Sequence, residues 1–184
     1  SYKKEAWLEN GYQFDIDWEK GQKTGFFIDQ RNNRAALQKY CNGKKVMNLF
    51  SYSGGFSIYA QGAGAEKVVS VDASASANEI CKRNFKLNFQ SEHEAITADA
   101  LDFMKEMSNE FDVIVLDPTA FAKHLSAKHK AIQAYKRINY QAIRHIQKGG
   151  ILFTFSCSQV IDTMTFRDTV VAAGIEAGRT IRIV

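Results

Sequence analysis

The chain has 184 residues, 45% hydrophobic, 12% aromatic and 24% charged, the profile of one globular domain that can bury a core without disulfide or metal staples. Its 24 Lys and Arg against 20 Asp and Glu leave a net charge of +4, which excludes an acidic tail protein and a histone-like polycation and keeps nucleic acid among the candidate partners. No apolar run reaches about 18 residues, so no membrane partner is expected, and no charged-then-apolar leader is read at the start. Three scattered cysteines, Cys41, Cys81 and Cys157, show neither metal-ligand spacing nor the even count of a disulfide framework, so a reducing, cytoplasmic location and no metal are expected. The one proline is Pro118.

Near the start, Asn10-Gly11 sits between alternating apolar and polar residues from Trp7 to Asp17, which predicts a β-hairpin. A third strand is expected from Gln22 to Ile28, then a helix over Asp29 to Tyr40 with Asp29 capping its first turn. From Lys44 onward the pattern alternates. Apolar runs at Val46–Phe50, Val68–Val71, Ala95–Ala98, Val113–Leu116 and Ile151–Phe155 predict strands; stretches near 55–64, 75–88, 100–107, 128–147 and 160–173 read as helices. Apolar strands interleaved with helices predict an α/β fold, a doubly wound, mostly parallel sheet covered on both faces. The expected division is a β-hairpin appendage over residues 1–28 and one α/β domain over 29–184.

In such folds ligands bind at the carboxyl ends of the strands, so the residues there carry the functional reading. The first strand runs into Phe50-Ser51-Tyr52-Ser53-Gly54-Gly55, where two glycines let backbone approach a ligand and open a helix. It is not a G-x-G-x-x-G fingerprint, and tight strand-to-helix packing would use the same residues. Asp72 ends the second strand and can accept from a ribose diol, as in NAD enzymes; a solvated strand end reads the same way. Asp99 follows the third strand and Asp117 the fourth, just before Pro118. Three aspartates on one sheet edge crowd negative charge. A ligand with a ribose diol, an amino group and a positive charge relieves it, and S-adenosylmethionine has all three. The fifth strand leads into Ser156-Cys157-Ser158, which puts a cysteine on the binding edge, whereas Cys41 and Cys81 read as packing residues.

The set Gly25-Phe26-Phe27-Ile28-Asp29-Gln30-Arg31-Asn32-Asn33-Arg34, Asn48-Leu49-Phe50-Ser51-Tyr52-Ser53-Gly54-Gly55, Asp72, Ala98-Asp99-Ala100, Asp117-Pro118 and Ser156-Cys157-Ser158 resembles the class I S-adenosylmethionine-dependent RNA methyltransferases. Within them it looks most like the bacterial large-subunit (23S) rRNA cytosine-C5 methyltransferase group. The resemblance runs from about residue 6 to 175 and implies a Rossmann-like fold with S-adenosylmethionine as cofactor. It implies that Gly54, Gly55, Phe50 and Ser51 approach the methionine part of that cofactor. Asp72 would take the ribose hydroxyls, Asp99 with Ala100 the adenine, and Asp117 would sit beside the methyl donor. Phe27, Gln30 and Arg31 would close the pocket, although a helix start with solvated arginines accounts for the same segment. Two departures stand out. Thr119 replaces the second proline of the family's Asp-Pro-Pro-x-Phe turn, and the N-terminal PUA domain of full-length relatives has no counterpart in these residues. A sixth strand is expected to begin at Arg179–Val184, with the sheet edge incomplete beyond it.

The chemistry implied is demanding, since carbon 5 of cytosine does not attack a methyl group unaided. A thiolate adding at carbon 6 turns the ring into an enamine-like nucleophile. Cys157 is expected in that role, with Asp117 holding the base. Between Asp117 and Asp162 no acid occurs, while seven Lys and Arg do. Lys123, Lys128, Lys130, Lys136 and Arg137 are the expected contacts to ribosomal RNA phosphates, with a solvated helix as the alternative. Tyr135 and Tyr140 offer stacking faces but have helical core spacing. Other readings remain open at this point: methylation of a different RNA base, methylation of a small molecule, or a non-catalytic cofactor- and RNA-binding fragment.

Overall fold

A computed structural model describes residues 6–16 and 26–184. A two-stranded antiparallel hairpin, β1 (Trp7–Glu9) and β2 (Tyr12–Phe14), turns through Asn10 and Gly11, whose φ values of 49° and 89° are those of a type I′ turn. Then come α1 (Arg31–Leu37), β3 (Lys45–Leu49), α2 (Gly55–Gly62), β4 (Lys67–Asp72), α3 (Ala75–Phe89), β5 (Glu94–Thr97) and α4 (Ala100–Glu106). The chain continues through β6 (Val113–Leu116), α5 (Lys128–His145), β7 (Ile151–Thr154) and α6 (Thr163–Glu176). Strands β3 to β7 form one parallel sheet in the order β5-β4-β3-β6-β7, so the chain reverses its direction of travel between β3 and β6. This is the expected doubly wound α/β architecture.

Side chains alternate across the central strands and build a core on each face. Met47, Leu49, Val69, Val71, Ile114 and Leu116 pack toward α4 and α5, while Val46, Val68, Val113 and Val115 pack toward α1 and α2. The hairpin is not free-standing: Phe14, Ile16 and Phe26 share an aromatic cluster with Ile58, Tyr59 and Phe85 of α2 and α3.

Several sequence expectations need correction. The strand expected at Gln22–Ile28 lies mostly outside the described residues, and its described end is not extended, since Ile28 already begins a 3-10 turn over Ile28–Gln30. Asp29 does not cap α1. The 3-10 turn puts Gln30 in a helical conformation at the cap position, so no extended residue presents a side chain to the first amides. Helix α6 starts three residues later than expected because Asp162 is its cap, accepting from Thr165 N at 2.8 Å. No strand forms at Arg179–Val184. There the Arg179 guanidinium donates to the carbonyls of Ile143 (2.9 Å) and Ile146 (2.6 Å) at the end of α5, and Ile181 packs against Gly174.

One polar chain crosses the face of the sheet under α2 and α3. Asn48 Nδ2 donates to Ser57 Oγ (2.9 Å), Ser57 and Ser70 share a hydroxyl bond of 2.6 Å, and Ser70 Oγ meets His93 Nε2 at 2.7 Å. His93 lies stacked on Phe85, and burial, aided by the Lys82 charge, lowers its pKa to about 4. The folded protein therefore holds this imidazole neutral while the unfolded chain protonates it near 6.5. Stability contributed this way is lost as pH falls from about 6.5 to about 4, by about 2 kcal/mol between about pH 7 and about pH 5. Urea midpoints at those two pH values should show that loss in the unaltered protein and a smaller one in His93→Gln.

Candidate active site

The sheet register brings the strand ends abreast. Leu49 is paired with both Val71 and Leu116, and Leu116 with Thr154, so Phe50, Asp72, Asp117 and Phe155 follow at one level. Beyond β3 the backbone enters left-handed conformations at alternate residues, with φ of 60° at Phe50, 46° at Tyr52 and 82° at Gly54. Such conformations cost about 1–3 kcal/mol at non-glycine residues and collect at functional sites. The turn is held by Ser51 N on Val71 O (3.1 Å), Tyr52 N on Asp72 Oδ2 (2.9 Å) and Gly54 N on Ser51 O (2.8 Å). Gly54 is obligatory for a second reason: a Cβ there would lie 2.4 Å from Cys81 Sγ. Gly55 opens α2 with the Arg34 side chain against it.

Asp72 accepts backbone amides on both oxygens, from Tyr52 and from Ser74 (2.9 Å). Each oxygen keeps a second lone pair, so a vicinal diol still finds two acceptors. Asp99 is exposed and caps α4, its Oδ1 accepting from Leu101 N (2.9 Å) and Asp102 N (3.1 Å), with buried Ala100 as the first helical residue. Asp117 is half-buried and accepts Gln30 Nε2 at 3.0 Å on Oδ1, while Gln30 Oε1 accepts Asn33 Nδ2 at 2.7 Å. Phe27, just ahead, sets its ring edge-on to Tyr52 at 5.4 Å. The segment Phe27–Gln30 thus spans from the glycine turn to Asp117. Arg31 takes another direction, its guanidinium donating to Asn10 Oδ1 of the hairpin turn (2.8 and 3.3 Å).

Cys157 Sγ lies 4.0 Å from Asp117 Oδ1, in a half-exposed position, so the edge brings these two together as expected. Ser158 anchors the loop: its buried Oγ accepts from Ala122 N (3.1 Å) and meets Tyr135 OH (3.0 Å). Tyr135 is thereby a core residue, not a stacking face. Cys41 and Cys81 are fully buried, and burial pushes their thiols up to about 12 and about 11, far from thiolate formation. Pro118 is buried while Thr119, in place of the family's proline, points outward as an exposed residue.

The basic stretch divides. Lys128 pairs with Asp162 (3.5 Å) and Lys136 with Glu176 (2.6 Å), acids supplied by α6. Lys123, Lys130 and Arg137 are exposed and make no ion pair with a described residue. Arg144 shares the spacing of Lys130 and Arg137, seven residues apart, so the three form one stripe along α5 about 21 Å long.

The residues fit the expected cofactor on an observation independent of any relative: Ser51 Oγ is buried beside the glycine turn with no hydrogen-bond partner among the described residues, as is Thr154 Oγ1 at the end of β7. A family profile described as "S-adenosylmethionine-dependent methyltransferase" matches residues 3–172. The chain belongs to that family. It is 41% identical over 180 residues to "Ribosomal RNA large subunit methyltransferase I" of Aeromonas salmonicida and 38% identical over 181 residues to its namesake from Escherichia coli. These alignments take in 95% and 96% of this chain but 46% of each relative, so the chain spans about half the length of the curated relatives it matches. Among solved structures, "SMU.776, a putative methyltransferase complexed with SAH" superimposes with a TM-score of 0.80 at 25% identity, over 100% of this chain and 49% of that one. Among the described residues, no helix is long and apolar enough to cross a membrane.

Sequence reasoning missed Arg34, which is 2% exposed. No signal in the sequence alone marked it: the structure buries Gln30, Arg34, Leu37 and Cys41 along one side of this segment, where a guanidinium has to meet a buried acid. For the glycine turn, Gly54→Ala should lower stability by about 1–3 kcal/mol in urea melts. Cys81→Ala in the same chain should recover part of it, because Sγ is the atom the new methyl meets.

Proposed function

We propose that this chain carries the catalytic centre of a ribosomal RNA methyltransferase that methylates C5 of a cytosine in 23S rRNA, in the bacterial cytoplasm. The observation that carries the reading is the Cys157 thiol 4.0 Å from the Asp117 carboxylate, on the sheet edge beside the Phe50–Gly54 turn. The names of the relatives support the RNA class. Ser51 Oγ would hold the methionine part of S-adenosylmethionine, with Phe50, Gly54 and Gly55 close against it, Asp72 would hold its ribose and Asp99 with Ala100 its adenine. When bound, the cofactor supplies an electrophilic methyl group.

The chain's own residues prepare the base. The Cys157 thiolate adds to C6, which raises electron density at C5, and Asp117 hydrogen-bonds the polar edge of the ring as charge shifts during addition. After methylation, loss of the C5 proton restores the ring double bond and expels the thiolate. Gln30 fixes the Asp117 carboxylate throughout. An extruded cytosine leaves flanking phosphates at the surface, and the stripe Lys130, Arg137 and Arg144 offers cations on one face of α5.

RNA containing 5-fluorocytosine should form a covalent adduct that survives denaturing electrophoresis, and Cys157→Ala should abolish both adduct and tritiated methyl transfer to unmodified 23S rRNA. Normal methylation by Cys157→Ala would sink the mechanism. Each of Lys130→Gln, Arg137→Gln and Arg144→Gln should reduce the slope of log affinity for RNA against log salt by about 1, and Lys136→Gln, paired to Glu176, by less.

A further inference from the structure

The buried pair Glu9–Arg34 reaches the site through the backbone. Arg34 donates from Nε to Glu9 Oε1 (2.9 Å) and from one terminal nitrogen to Glu9 Oε2 (2.9 Å). Its other terminal nitrogen donates to the Phe27 carbonyl (3.0 Å). Tyr59 OH donates to Glu9 Oε1 (2.9 Å), and the guanidinium lies 4.6 Å over the Phe26 ring. Glu9 is 3% exposed and Arg34 2%. Stability alone is a weak reason for such a pair, because apolar replacements of buried ion pairs are often as stable. What an apolar pair could not supply is the third bond, to Phe27 O.

Phe27 sits outside regular structure, with φ −96° and ψ 85°, at the head of the segment that spans the ligand edge. Its ring meets Tyr52 of the glycine turn, and three residues on, Gln30 holds Asp117. The same arginine packs its Cδ against Gly55, the first residue of α2. One planar fork therefore ties together the hairpin, the glycine turn and the Phe27–Gln30 segment. We infer that Arg34, anchored by Glu9, is a positioning residue that clamps the Phe27–Gln30 segment and so sets Gln30 against Asp117 for reaction. It touches neither cofactor nor base and acts through Gln30. The inference rests on the reading of Asp117 and Cys157 as the base-activating pair.

Arg34→Lys tests it, since a lysine keeps the charge but cannot fork to a carboxylate and reach a carbonyl at once. Steady-state methyl transfer to unmodified 23S rRNA should show kcat reduced by about 10- to 100-fold with KM for RNA little changed, the size expected for a misplaced catalytic group. Gln30→Ala should show a similar loss, and the Arg34→Lys/Gln30→Ala double variant no further loss. If Arg34→Lys does not fold, Glu9→Gln/Arg34→Met is read in its place and should fold while showing the same drop in kcat. Multiplicative losses in the double variant, or unchanged kcat per folded molecule in the Arg34 variants, would overturn the clamp. Full methyl transfer by Gln30→Ala and Cys157→Ala together would overturn the underlying reading as well, which distinguishes the two failures.

Discussion

The site depends on the pairing of β3 with β6 at the centre of the sheet. Leu49 opposite Leu116 is a hydrophobic and hydrogen-bonded register, fixed because each strand is buried on both faces. One residue further along, the two chains part toward opposite faces, β3 into the glycine turn and α2, β6 into Asp117-Pro118 and α5. A crevice opens where neighbouring parallel strands diverge, and whatever residue occupies the next position on each strand faces it. A slip of one residue would turn Asp117 away from Cys157 and put Val115 in the opposite core.

Around that crevice the molecule spends polar groups where a simple core would use apolar ones. Asn48, Ser57, Ser70 and His93 make a hydrogen-bonded line inside the α2–α3 face, and Glu9, Arg34 and Tyr59 make a second cluster beneath the hairpin. Both are buried and largely satisfied, a condition under which polar groups specify one arrangement of the elements around them. Among the described residues, Asn48 Oδ1 in the first line has no hydrogen-bond partner, and neither do Ser51 Oγ and Thr154 Oγ1 at the sheet edge.

Much of the site was legible because strand ends are legible. An apolar run that stops at an aspartate declares both its length and its edge residue, which is why Asp72, Asp99, Asp117 and Cys157 were found at the carboxyl ends without coordinates. Phe27 and Gln30 meet Tyr52 and Asp117 at that edge, and they were singled out only through resemblance to a family, since nothing in their local pattern distinguishes them from a helix start. Arg31 and Arg34 look equivalent in sequence. Their fates diverge because one points to the hairpin turn and the other into the core, a difference of about 60° around the helix that only packing resolves.

The sequence by itself determined the α/β class, the hairpin turn at Asn10-Gly11, the strand ends and the place of Cys157 beyond the last of them, because period, turn chemistry and composition are local properties. Tertiary structure alone decided which side chains meet: Gln30 with Asp117 across 87 positions, Arg34 with Glu9 across 25, and Lys128 and Lys136 with acids of α6. Those contacts join residues far apart in the chain, and their partners are selected by the sheet register and by the need of buried charge for an opposite charge. No local pattern carries that information.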